Sequence, residues 1–375
     1  MKLTLIAGEP SGDRLGAALM AALKTLVPAV QFHGVGGPMM QAEGLTSLFP
    51  MEELSVMGIA EILPKYRHLK RRISQAAAAT LAENPAALIT IDSPDFCLRV
   101  ARIVKSVRPD IKTIHYVAPS VWAWRPGRAT RMAQYIDHVL ALLPFEPPYM
   151  TAAGMSCDFV GHPVVAEPRG DKAPQDSPLI LTLPGSRRGE VARLAPVIGE
   201  VLGLLKKQYP TARVALPTVR GVADLVHDLT RNWPILPEII ENHQDKSAAF
   251  ANATVAIAAS GTVSLELAAN NCPMVIAYKM NPLTLWLMRR AALVDTVTLV
   301  NLVSETRTVP EFLGPSCRAD LIAPAVLALM QPGPARVEQT AAMAVTMQRL
   351  GQGQEPPGMR AARSVLNVLS VTALQ

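Results

Sequence analysis

The four cysteines, Cys97, Cys157, Cys272 and Cys317, lie far apart, with no CxxC pair and no Cys/His cluster. That spacing supports neither a zinc site nor a disulfide framework and fits a reducing compartment. Aromatic residues make up only 5% of the 375 positions. That is too few for the stacking platforms that hold single-stranded nucleic acid, so no nucleic-acid partner is expected. No apolar run approaches the roughly 20 residues of a membrane span, and any membrane contact would be peripheral. The opening MKLTLIAGEPSGD turns polar after a five-residue apolar run, so it reads as a first strand rather than a signal peptide. The first strand is not followed by G-x-G-x-x-G, which argues against a dinucleotide. Asp-x-Asp is absent too, although a metal-held sugar nucleotide usually needs such a carboxylate pair. The expectation is no metal and no cofactor.

What is present is a large apolar fraction, half of all residues, with 18% charged and a net charge of +6. The length exceeds what one core usually holds, so two domains are expected. The positive balance suits a phosphorylated partner or an anionic membrane surface. Strand-like runs at Leu3–Ala7, Gln31–Val35, Ala87–Ile91, Thr113–Val117 and His138–Leu142 alternate with helical segments such as Arg14–Leu26 and Tyr66–Glu83. Val164–Pro178 is polar, charged and proline-rich, and reads as a linker. The alternation restarts with strands at Leu179–Leu183, Arg213–Leu216, Thr254–Ala258 and Pro273–Ala277. The fold class expected is α/β, with two Rossmann-like doubly wound domains facing a cleft. The divisions are 1–163, a linker 164–178, a second domain 179–340 and a helical tail 341–375. In such sheets ligands sit at the carboxyl ends of the strands, so the cleft is the expected site.

The stretch LILTLPGSRRGEVAR, Leu179–Arg193, organises this reading. A buried strand, a turn at Gly185-Ser186 and a helix N-terminus form an anion site, with Arg187 and Arg188 at its mouth. The competing reading is an ordinary turn with two solvated arginines. Ser260, Gly261 and Thr262 form a second strand–turn–helix, with Glu266 placed to accept from ribose hydroxyls; a capping box is the alternative. Two such turns in one domain favour a nucleotide diphosphate. Near the amino terminus, Glu9, Ser11, Gly12 and Asp13 follow the first strand, and Asp13 serves either a sugar hydroxyl or a helix cap. Asp92 ends a buried strand and is a candidate general base or a local cap. His115 reads as a core histidine, and Trp122 and Trp124 should face opposite ways. Val56, Met57, Ile59, Ile62 and Leu63 crowd beside Lys65, Arg67 and Arg71, a composition suited to an anionic lipid surface or to a core helix with a solvated basic face.

AGEPSGDRLGA, MEELSVMGIAEILP, IDSPDF, HYVAPSVWAWRPGR, LPFE, FVGHP, LPGSRRGEV, SGTVSLELA and LVNLV occur in this order over most of the chain. Together they resemble lipid-A-disaccharide synthase, a glycosyltransferase family of the GT-B type. The resemblance implies UDP-2,3-diacylglucosamine as donor and 2,3-diacylglucosamine 1-phosphate as acceptor. It also implies a metal-independent, inverting transfer that forms a β-1,6 disaccharide and releases UDP. It matches Asp92 to the catalytic aspartate, Arg187 to the diphosphate-binding arginine, and Glu9 and Asn301 to further catalytic positions. Gly185, Ser186, Ser260, Gly261, Thr262 and Glu266 fall to the donor. Where the family's aspartate motif reads Gly-Ile-Asp-Ala-Pro, this chain has Thr90-Ile91-Asp92-Ser93-Pro94. The expected place is the cytoplasmic face of the inner membrane, and the sequence leaves a homo-oligomer open. The alternatives are another GT-B enzyme on UDP-N-acetylglucosamine, a transferase or an epimerase, and a non-catalytic nucleotide-sugar or lipid sensor.

Overall fold

A computed structural model describes residues 1–54, 59–173, 176–280, 286, 288 and 290–370, with 59–66 described for the backbone alone. The chain forms two compact units, Met1–Pro163 together with Gly353–Gln375, and Val164–Gln352.

The first unit is built on β1 (Lys2–Ala7), β2 (Gln31–Val35), β3 (Thr46–Ser47), β4 (Ala87–Ile91), β5 (Lys112–Tyr116), β6 (His138–Ala141) and β7 (Ser156–Phe159). These pair in parallel in the order β3-β2-β1-β4-β5-β6-β7. Every residue of β4 is buried, as expected of a central parallel strand covered on both faces. The helices Pro10–Leu26 and Pro94–Val107 each begin at a proline, whose fixed φ suits a first helical turn.

The second unit repeats the plan with β8 (Leu179–Leu183), β9 (Arg213–Pro217), β10 (Pro237–Ile240), β11 (Val255–Ala258), β12 (Met274–Tyr278) and β13 (Glu311–Leu313). Its parallel order is β10-β9-β8-β11-β12-β13. In both sheets the chain winds outward from the first strand, then returns to its other side. That reversal is a topological switch point, where loops diverge and leave room for a ligand. Register brings the critical turns side by side. Ala7 lies opposite Ile91, so the turns at Gly8 and Asp92 are neighbours. Leu183 lies opposite Ala258, so the turns at Gly185 and Ser260 are neighbours.

Two sequence boundaries need correction. The segment expected as a linker, 164–178, is packed on the second unit. Val164 is buried, and the Asn252 amide binds the backbone at both Asp171 and Ala173. The tail expected at 341–375 is split. The helix Pro334–Arg349 belongs to the second unit, where buried Gln339 clasps Met274 through both its N–H and its C=O. The helix Pro357–Val368 returns to the first unit and buries Ala361, Ala362, Val365 and Leu366 in its core. Gly358 lets that helix approach the first one closely: a Cβ there would sit 2.8 Å from the Ala18 carbonyl oxygen.

Candidate active site

At the first switch point Asp92 and Ser93 both take left-handed backbone, with φ of 51° and 40°. Left-handed residues other than glycine cost on the order of 1–3 kcal/mol each and collect at functional sites, although aspartate tolerates the region better than most. Gly8 makes the turn possible, because a Cβ there would fall 2.6 Å from the Ser93 hydroxyl. The Ser11 hydroxyl donates to Asp92 Oδ2 at 3.3 Å, and the Asp92 N–H is tied to the Tyr116 carbonyl at 2.9 Å. The carboxylate is thus held half-buried at the strand end, facing the turn that carries Glu9. Asp92 and Glu9 both lie close enough to raise the Cys97 thiol further, on top of the dominant effect of its burial. Beneath them His115 is buried against the Thr90 hydroxyl at 2.8 Å, and burial first, then Arg128, pulls it down to about 3. It is a neutral core histidine, as its position suggested. Trp122 donates to buried Glu146 and packs edge-on to Phe145, while Trp124 faces solvent under Arg125.

At the second switch point a cleft of about 470 Å³ opens between the turns after β8, β9 and β11. Gly185 takes φ +114°, and Glu190 folds back over it from the first turn of the helix Arg188–Lys206. Arg187 caps that helix in extended backbone; its Nη1 reaches Glu190 Oε1 at 2.9 Å. The Tyr278 hydroxyl donates to the same oxygen, and burial together with Glu190 pushes that phenol up. Opposite, Lys246 Nζ lies 2.6 Å from Glu266 Oε2. The N-terminal end of a 19-residue helix, one exposed arginine and one lysine therefore border the cleft. Arg188 points away from it into solvent.

The lipid-A-disaccharide synthetase family model matches residues 3–361. A lipid-A-disaccharide synthase of Ruegeria pomeroyi is 58% identical, covering 98% of this chain and 96% of that protein. One from Rhodospirillum centenum is 47% identical, covering 98% and 94%. The chain belongs to the lipid-A-disaccharide synthase family. It is a glycosyltransferase of lipid A biosynthesis acting on lipid-A precursors, and the sensor and epimerase alternatives fall away. Its fold resembles UDP-GlcNAc 2-epimerase from Neisseria meningitidis, with TM-score 0.65 at 14% identity over 99% of this chain and all of the other. It also resembles MurG of Acinetobacter baumannii, with TM-score 0.57 at 13% identity over 98% and 99%. These likenesses establish the GT-B architecture.

Several residues singled out from sequence are held by internal contacts of the synthase fold. Asp13 is buried and accepts from the backbone N–H groups of Gly37, Met39 and Met40 at 2.9–3.0 Å. It caps the helix Pro38–Ala42 through space. Gly12 packs against Ala7 and the Ile91 carbonyl. Asn301, matched to a catalytic position, is buried with both ends of its amide engaged: it donates to Thr296 and Val309 and accepts from the Val309 N–H. The Ser260 hydroxyl donates to the Val297 carbonyl, and the helix behind Thr262 has only seven residues, so less dipole stands behind that turn than behind Gly185. Val56 and Met57, and the side chains of Ile59, Ile62, Leu63 and Lys65, lie outside the described residues. Arg67 and Arg71 are exposed on the helix Ile59–Glu83, whereas Arg72 is drawn inward by Glu53 and Phe49.

Lys246 and Thr218 were missed. The Thr218 position is signalled by topology, since it ends the strand next to the switch point; its hydroxyl oxygen is buried without a partner in the cleft wall. Lys246 carries no local motif. Among the described residues no cluster of His, Cys, Asp and Glu is arranged to hold a metal.

Proposed function

We propose that this synthase transfers the diacylglucosamine of UDP-2,3-diacylglucosamine to the 6-hydroxyl of 2,3-diacylglucosamine 1-phosphate, with Asp92 as the general base. The observation that carries this is the Asp92 turn: two successive left-handed residues and the Ser11 hydroxyl hold one carboxylate at a switch point. In the transfer the acceptor oxygen gives its proton to Asp92 as it attacks the anomeric carbon. The bond from that carbon to the diphosphate oxygen breaks, and the electron pair leaves with UDP. Attack opposite the leaving group inverts an α-linked donor to a β-1,6 product. Charge that builds on the departing diphosphate is met by Arg187 and by the N–H groups opening the helix Arg188–Lys206. Met1–Pro163 is assigned the acceptor and Val164–Gln352 the donor. Glu9 and Ser11 support the Asp92 turn, and Asp13 and Asn301 brace the loops of their own units.

No helix among the described residues is long and apolar enough to cross a membrane. We assign the chain to the cytoplasmic face of the inner membrane, with exposed Arg67 and Arg71 meeting anionic lipid. The test is an assay of the purified protein with both lipids in detergent, without added metal, read by mass spectrometry. A disaccharide 1-phosphate with equimolar UDP is the expected result. UDP released without disaccharide would overturn the acceptor assignment.

A further inference from the structure

The cleft of the second unit holds its charges in two opposed pairs. Arg187 faces Glu190 at 2.9 Å, and Lys246 faces Glu266 at 2.6 Å. These four groups sum to no net charge, which makes the cleft a poor trap for a bare anion. A ligand gains there only if it brings anionic oxygens for Arg187 and hydroxyl donors for the carboxylates. A nucleoside diphosphate with an intact ribose brings both. Glu266 gives one oxygen to Lys246, and a carboxylate keeps a second oxygen with which to accept from hydroxyls. Lys246 is itself fixed. It sits on the helix His243–Asn252, which Asn242 caps, and its ammonium lies 5.2 Å from the centre of the buried Phe250 ring. The Thr218 hydroxyl in the same wall is buried without a partner.

We propose that Lys246 is a specificity-determining residue: by fixing the orientation of Glu266 it makes the cleft select a ribonucleotide over its 2′-deoxy counterpart. The inference rests on the reading of this cleft as the donor-nucleotide site. A charge-assisted hydrogen bond to a held acceptor is roughly twice as strong as a neutral one, and a site built to bind a hydroxyl rejects the analogue that lacks it. A carboxylate free to swing loses that discrimination, because ordering it then opposes the gain. Lys246 is engaged by Glu266 and the Phe250 ring, and Arg187 is the cation proposed for the phosphates, so affinity for the deoxy ligand should depend little on Lys246.

Calorimetric titration of UDP and 2′-deoxy-UDP into the full chain tests this. The wild type is expected to prefer UDP by about tenfold, one well-formed hydrogen bond to a charged group. Lys246→Met should cut the preference to about twofold while leaving 2′-deoxy-UDP affinity within about threefold. Lys246→Arg should keep the preference, and Glu266→Gln should lose it. A thermal melting curve matching that of the wild type serves as the check that each variant is folded. If Lys246→Met weakens both ligands equally, Lys246 acts on the phosphates and the proposal fails. No preference in the wild type would also overturn it. If the wild type binds neither ligand, the donor-site reading fails first and takes the proposal with it.

Discussion

The two switch points share one topology and carry opposite electrostatics. After β1 and β4 the chain presents one carboxylate on strained backbone, supported by a serine hydroxyl. After β8 and β11 it presents a cleft in which each acid already faces a base. In the function proposed, the same winding of strands supplies a proton acceptor in one unit and a balanced polar seat in the other. The fold gives the place, and a handful of loop residues give the chemistry. A base must take a proton from the attacking hydroxyl, so it cannot be tied to a cation beforehand. A nucleotide seat must recognise two kinds of group, so it holds both charges ready.

The largest test of this division is Asp92→Asn. It should lower kcat by ~10²–10⁴, the usual contribution of a general base, with UDP affinity unchanged by titration. Activity within a few-fold of wild type would end the asymmetry between the switch points. Arg187→Ala should cost ~10²–10³ in kcat and weaken UDP binding as well if its charge meets the leaving diphosphate as proposed. An effect on KM alone would make Arg187 a binding group with no part in bond breaking.

Asn301→Ala separates architecture from catalysis. The Val309 N–H and C=O would lose their side-chain partner at about 1–3 kcal/mol each, while the Thr296 hydroxyl keeps Glu311, so the melting temperature should fall by several degrees while kcat of the folded protein holds. A large loss of kcat with unchanged melting would make Asn301 a catalytic residue after all.

The smallest effect concerns how acids are held in the two units. Glu146 in the first unit is buried, and that burial pushes its carboxyl up to about 7 from an ordinary 4.5 against the opposing N–H groups of Leu143, Leu142 and Trp122. Between those values the folded chain binds a proton that the unfolded chain has released. Its contribution to stability is therefore fully present below about pH 4.5 and is lost as pH rises through about 7, on the order of 3 kcal/mol in all. Glu146→Gln should flatten that slope in denaturant unfolding measured from pH 5 to 7.5. An unchanged slope would place its source elsewhere.

Central strands such as β4 and β8 were legible because burial on both faces demands unbroken apolar runs, ALITI and LILTL. The outer strands were not. β7 alternates exposed and half-buried residues, β3 has two residues, and β10 opens on a proline, so none has an apolar run to read. The strand-end positions of Asp92 and Arg187 were legible because such turns follow the buried apolar runs directly. Asp13 and Asn301 looked alike in sequence but are absorbed by partners up to 27 positions away. The Lys246–Glu266 pair joins two helices and leaves no local spacing to find.

The return of the helix Pro357–Val368 to the first unit bears on the order of synthesis. His138 bonds Ser364 across 226 positions, and Arg360 bonds the Phe159 carbonyl. The first unit to leave the ribosome is therefore the last to be finished. At roughly 5–20 residues per second, making Val164–Gln352 takes about 10–40 seconds, during which the groove beside the first helix stays uncovered. The second unit, continuous in sequence, can close on itself in that interval. Its completion sets the delay before the nascent amino-terminal half receives its last piece of core, a window in which a chaperone that binds apolar surface has a defined target.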